Sequence, residues 1–168
     1  VVPLPGADLS ETPPEVETPL EAALKRISEL DNRFDPLEFS NGARSAFEMV
    51  ITAFALGDTN ALSALVSNAV FANFENAIKQ RERAGETQEI SVIGVDKADI
   101  IEASLAHTVA QITTKFVSQQ ISVTRNEAGD VIEGDPDAVN EVTDIWTFSR
   151  DLRSKDPNWK LVETRSSN

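Results

Sequence analysis

Cysteine is absent from the 168-residue chain, and histidine occurs once, at His107. Without thiols there is no disulfide scaffold, no zinc ribbon and no thiol nucleophile. A single imidazole excludes a multi-histidine metal centre and leaves only carboxylates as ligands. Glycine is sparse: the seven residues are scattered, and none forms GxxxxGK or GxGxxG, so no phosphate-cradling loop is present. No apolar run approaches the ~20 residues of a membrane-spanning helix, and no signal peptide is visible. Cations are also scarce. Fifteen Lys and Arg against 28 Asp and Glu leave a formal net charge of -13. Phosphate contacts need clustered cations, so nucleic acid is not an expected partner. Anionic headgroups repel such a chain unless its cations gather on one face.

What is present suits one domain: 40% hydrophobic residues, with eight Phe and two Trp to seed a core. Residues 1–18 are rich in Pro, Glu, Thr and Ser and cannot bury enough apolar surface to offset their ordering entropy, so a linker is expected there. The chain starts with Val1 rather than Met, so it is expected to be a fragment whose original N-terminus, with any anchor on it, is missing.

Helical spacing follows. Thr18 is a candidate N-cap and Pro19 a candidate first residue, and Leu20, Leu24, Ile27 and Leu30 form one stripe, which places an N-terminal helix within 19–33. A second helix starts at Pro36 and carries Leu37, Ala43, Phe47 and Phe54 as far as Gly57, with Asn41-Gly42 expected to interrupt or kink it. Asp58 caps a short third helix. A fourth spans about Asn68 to Arg83, with Phe71, Phe74 and Ile78 on one face.

Beyond Gly85 the period changes to two. Ile90 and Val92 alternate with polar residues, and Gly94 suggests a bulge. A long strand over Thr108–Thr124 puts Ala110, Ile112, Thr114 and Phe116 on one face, and its alternation slips near Ser118–Gln120. Residues 126–140 are acidic and turn-rich and read as a loop. EVTDIWTFSR and WKLVETR close the chain as two strands. Helices followed by strands define an α+β fold with an antiparallel sheet.

The candidate chemistry is thin. Asp144 lies in phase with Trp146 and Phe148, so it faces a cavity or ends exposed. Asp96, Asp99 and Glu102, three residues apart in an extended chain, do not converge on an ion, and the GDPD run at 134–137 lacks calcium-loop spacing. His107 can pair with Asp99 or Glu102 in principle, but the plain reading is a strand-end histidine. No catalytic residue, metal or cofactor is expected. The aromatic set is richer: Phe47, Phe54, Phe71 and Phe74 from helices, Phe116, Trp146, Phe148 and Trp159 from strands. These eight either fill one helix-on-sheet core or wall an apolar pocket between diverging layers. Lys79, Arg81 and Arg83 make the compact basic cluster that is a candidate membrane contact. Arg150, in phase with Phe148, is expected to lay its stem on apolar surface and reach a carboxylate or the sheet edge.

The order of these pieces resembles the Tim44-like domain family, found in the forty-four-kilodalton subunit of the mitochondrial inner-membrane protein translocase. Phe39, Ala43, Ala46 and Phe47, then Gly57, Asp58 and Leu62, fit its helical half; Trp146, Phe148, Arg150, Pro157, Trp159 and Leu161 fit its W-x-F-x-R…P-x-W ending. The resemblance covers 34–168. It implies helices on a strongly bent antiparallel sheet, a cone-shaped fold similar to nuclear transport factor two, with a deep apolar pocket and no catalysis. It further implies protein partners at a bacterial inner membrane, on the cytoplasmic face, a lipid or other apolar ligand in the pocket, and a scaffold role in transport or assembly of membrane-associated proteins. The competing expectation is a small-molecule-binding or hydrolytic protein of the same fold with a cavity Asp–His pair.

Overall fold

The computed structural model describes residues 16–167. Four helices come first: α1 (Pro19–Leu30), α2 (Pro36–Leu56), α3 (Thr59–Leu65) and α4 (Asn68–Arg83). Five strands follow: β1 (Thr87–Ala106), β2 (Val109–Arg125), β3 (Val131–Gly134), β4 (Asn140–Asp151) and β5 (Lys160–Ser166). The expected linker falls outside the described residues up to position 15, and Val16 to Thr18 form neither helix nor strand.

Each helix starts where a short polar side chain accepts an otherwise unpaired backbone N–H. Thr18, Asp35, Asp58 and Ser67 accept from Glu21, Leu37, Ala61 and Val70 at 3.1, 2.9, 3.1 and 3.3 Å. α1 stops at Leu30, where Asp31 turns extended. α2 ends at Gly57, whose φ of 72° is a left-handed conformation open to glycine. The expected break at Asn41-Gly42 does not occur. Both face outward, and burial of Ala43, Phe47 and Val50 on the inner face offsets the ~1 kcal/mol that a helical glycine costs.

The sheet is antiparallel, in the order β1-β2-β4-β5, with β3 beside the far end of β2. β1 is a single strand of 20 residues, and its register against β2 skips Ile93, Asp96 and Ile101. Each extra residue bends a strand and adds right-handed twist. The irregularity expected in β2 at Ser118–Gln120 therefore lies on β1; β2 pairs with β4 in unbroken register from Val109 to Gln120. The hydrophobic period misleads there because two polar side chains point inward and satisfy one another: the Gln120 amide donates to Ser118 Oγ at 2.9 Å. The expected 126–140 loop contains β3. The turn closes by Asn126 N–H to the Asp130 carbonyl at 2.9 Å. Gly134 then exits at φ 84°, where a Cβ would sit 2.0 Å from the Ser122 carbonyl oxygen.

α2 lies across the concave face. Phe47 stacks on Phe116, ring centroids 4.5 Å apart, and meets Trp146 at 4.7 Å; all three are buried. Arg44 donates to the Val95 carbonyl, tying α2 to the bulged part of β1. α1 seals a second, smaller cluster of Ile27, Ala110 and Ile112 near the β1–β2 hairpin. No helix among the described residues is long and apolar enough to cross a membrane.

Thr114 is fully buried between these clusters, and its hydroxyl has no hydrogen-bond partner. Thr114→Val should leave stability unchanged or raise it by up to ~1 kcal/mol, since an unsatisfied buried hydroxyl costs more than a methyl. Trp146→Ala should cost about 3–5 kcal/mol. Urea denaturation checks both, and a loss above ~1 kcal/mol for Thr114→Val would reveal a hydrogen bond at that hydroxyl.

Candidate functional site

A cavity of about 750 Å³ opens where the α1–α2 link, the first half of α2, the end of α3 and the β4–β5 turn meet. Its depth follows from side-chain size. Gly42, Ala43, Ala46 and Ala64 leave room, while Phe34, Phe39, Phe148 and Trp159 supply the wall. Phe39 meets Trp159 edge-on at 4.9 Å and Phe148 at 5.9 Å, the edge-to-face geometry that aromatic quadrupoles favour. The mouth is charged: Asp31, Arg33, Asp35, Glu38, Arg150 and Lys155 line it.

Arg150 fixes that mouth. Its Nη1 donates to Asp31 Oδ2 at 3.1 Å and its Nε to the Asp156 carbonyl at 3.1 Å. Side-chain exposures of 13% and 22% make this a shielded pair, unlike the exposed Lys79–Glu75 bridge. The guanidinium thus ties the end of α1 and the β4–β5 turn to strand β4, in the structural role its sequence position suggested.

The eight expected aromatics separate into three groups. Phe148 and Trp159 line the cavity. Phe47, Phe116 and Trp146 fill the closed interior, where the three rings pack on one another and leave no wall to expose. Phe54 and Phe74 pack together at 5.2 Å, and they and Phe71 are half-buried around that interior. Two wall residues escaped the sequence reading as site residues, Phe34 and Phe39. A signal existed: Phe34 precedes the Asp35 cap and Phe39 is the fourth residue of α2, the spacing of a hydrophobic staple, and their rings lie 6.2 Å apart.

The basic cluster on α4 does not form one cationic face. Arg81 turns inward, donating to the Phe54 and Ala55 carbonyls at 2.9 and 3.1 Å and to Gln88 at 2.8 Å, with its guanidinium 5.3 Å from the Phe54 ring centre. These carbonyls sit at the negative end of α2, which favours a cation. Burial lowers the Arg81 pKa, partly opposed by Glu82. Lys79 and Arg83 remain exposed, with Lys79 paired to Glu75 at 3.3 Å.

Asp144 and His107 do not meet. His107 occupies the β1–β2 turn with φ 57°, whereas Asp144 stands opposite Phe116 in the middle of the sheet. Seven register steps from Val109 to Phe116 separate them, about 23 Å of strand. Asp99 pairs across the ladder with Lys115, and Glu102 with Thr113. Among the described residues no group of three or more His, Asp or Glu is placed to hold a metal ion.

Helices laid over one face of an open, bent antiparallel sheet, with a cavity on the helical side, define an α+β domain of a known kind. The chain belongs to the Tim44-like domain family, whose pattern matches residues 20–166. It is similar to the human mitochondrial import inner membrane translocase subunit TIM44, 24% identical over 154 residues that cover 90% of this chain and 34% of that protein. A Caenorhabditis elegans protein described as probable mitochondrial import inner membrane translocase subunit tin-44 is 24% identical over 83% of this chain and 34% of its own length. The uncharacterized protein RP434 of Rickettsia prowazekii (strain Madrid E) is 26% identical, over 87% of this chain and 61% of its own. The chain thus spans about a third of the mitochondrial relatives. Among solved structures, the intermembrane space region of the chloroplast protein ARC6 shares the fold, with a TM-score of 0.54 at 13% identity over 80% of this chain and 97% of that one.

Asp144 yields a pH prediction. Partial burial raises its pKa above the ordinary aspartate value. A carboxyl with a raised folded-state pKa stabilises the fold fully below the unfolded value of about 3.9, and that contribution disappears as pH rises through the folded value. Asp144→Asn should therefore raise the Tm at pH 7, and the gain should vanish near pH 3.5. Thermal melts across pH check this; a lower Tm at pH 7 would mean that the ionised carboxylate has a stabilising partner.

Proposed function

We propose that this domain is a non-enzymatic interaction module that works at a bacterial inner membrane, on its cytoplasmic face, where it helps transport or assemble membrane-associated proteins. An anchor outside this chain would hold it there. The observation that carries the reading is the composition of the cavity within a Tim44-like domain. Its wall is aromatic and its most buried charge, Arg150, is already engaged by Asp31 and a backbone carbonyl. Such a site favours binding of an apolar group, an acyl chain or a partner's side chain, and offers no base poised beside a nucleophile. The mitochondrial relatives are translocase subunits by name, and they and a similar protein in a bacterium agree with that role. The net charge of -13 speaks against adhesion through anionic lipid headgroups. The hydrolytic alternative loses its support with the separation of Asp144 from His107.

Site-specific photo-crosslinking in the cells that make the protein tests this. A photoreactive residue at Lys155, on the cavity mouth, should give adducts with inner-membrane-associated proteins. The same residue at Lys115, on the opposite sheet face, should give few. Absence of membrane-protein adducts from every position on the helical side would remove the docking role.

A further inference from the structure

α2 is apolar on two sides, and only one of them is covered. Phe39, Ala43, Phe47 and Val50 look into the core. On the other side, Met49, Thr52, Ala53 and Leu56 follow one another at i, i+3, i+4 and i+7, the spacing of a single helical stripe, with Ala53 buried where the stripe meets the core and the other three exposed. No charge occurs from Met49 to Leu56. α3 lies alongside and presents Ala61, Ala64 and Leu65 to the same space. The two helices therefore flank a groove of about 560 Å³, distinct from the aromatic cavity and touching it only at Ala64 and Leu65. Met49 is 54% and Leu56 76% exposed, large apolar side chains held in water beside one another.

The groove has a sign. Its charged lining consists of Glu48 and Asp58, both acidic. The neighbouring cations are engaged: Lys160 donates to the Ala64 carbonyl at 2.7 Å at the end of α3, and Arg81 to the Ala55 carbonyl at 3.1 Å at the end of α2.

We propose that this groove seats an amphipathic helix of a partner protein, with apolar residues on one face and Lys or Arg flanking them. The shape argues for a helix, because a trough between two helices accepts anchors at i, i+3, i+4 and i+7. The charge argues for a cationic one: two rim carboxylates on a domain of net charge -13 steer and orient it. The same charges disfavour the other occupants. A second copy of this chain brings its own -13 and the same acidic rim, and a lipid brings a phosphate toward Glu48 and Asp58. The proposal rests on the reading of the domain as a protein-docking module and names the chemistry of one partner segment.

The test is fluorescence anisotropy with a fluorescein-labelled helix built of Leu on one face and Lys on the other, ~18 residues and so about five turns. A Leu/Glu peptide of the same pattern is the control. The wild-type chain should bind the Leu/Lys helix, weaken as salt rises, and leave the Leu/Glu helix unbound. Met49→Ser with Leu56→Ser keeps every charge and should cost at least about tenfold in affinity. Leu56→Gln alone, at the most exposed lining position, is the second variant should the double one melt early. Glu48→Gln with Asp58→Asn, which preserves the α3 cap, should cost several-fold. Equal binding of both peptides, which assigns the signal to apolar adhesion without charge selection, or an unchanged affinity in the apolar variants, which assigns it to diffuse charge, overturns the groove. Concentration-dependent dimerisation of the wild type that Met49→Ser with Leu56→Ser abolishes overturns it too, in favour of a second copy. In either case surviving photo-adducts at Lys155 leave the broader docking role standing, whereas loss of adducts everywhere removes that role itself.

Discussion

The contact of Phe47 with Phe116 and Trp146 holds α2 against the sheet, and most of the surface features follow from where that helix lies. The contact needs a concave sheet, and the concavity comes from β1. Three extra residues in one strand, Ile93, Asp96 and Ile101, let β1 curl around the helix while β2 stays in register with β4. Arg44 and the Val95 carbonyl fasten the helix at the bend. The bulges also blunt a long edge strand that would otherwise invite pairing with another chain.

Two arginines secure the two ends of this arrangement. Arg81 caps the carbonyl end of α2 from α4, and Arg150 joins the α1–α2 link to β4. In both cases a cation meets partners whose charge or dipole favours it, away from competing water. α2 then walls two spaces in succession along its length. Glu38, Phe39, Gly42, Ala43 and Ala46 face the aromatic cavity, and Glu48, Met49, Thr52, Ala53 and Leu56 face the open groove. A chain with 15 cations keeps its key ones in structural bonds, so its outward field is acidic. That field suits cationic protein segments better than lipid headgroups or nucleic acid.

Much of the architecture was legible in the sequence because local physics marks it. Thr18, Pro36 and Asp58 announce helix starts, Gly57 an end, and the change of period after Gly85 separates helices from strands. Two features of the fold escaped for definite reasons. β2 runs through Ser118 and Gln120 because two inward polar groups bond each other, which hydrophobic alternation does not register. β3 is four residues long and exposed throughout, so no apolar pattern marks it. The site was half legible. Phe148 and Trp159 stood out by their family positions, but the division between closed core and open wall depends on which small residues lie opposite. Gly42, Ala43, Ala46 and Ala64 make the space, and spacing along one element does not reveal what another element presents. Arg81 illustrates the same limit: its neighbours Lys79 and Arg83 look alike in sequence, and only the packing of α4 against α2 turns one of the three inward.

The central claim is that the wall containing Trp159 is an open binding site for an apolar group, while the interior containing Trp146 is closed. The two indoles allow each to be observed alone. In Trp146→Phe the remaining emission comes from Trp159, and in Trp159→Phe from Trp146. Titration with a brominated fatty acid, whose bromine quenches on contact, should extinguish most of the emission in the first variant, saturably, and leave the second nearly unchanged. Equal quenching in both, or none in the Trp159 reporter, would contradict the account.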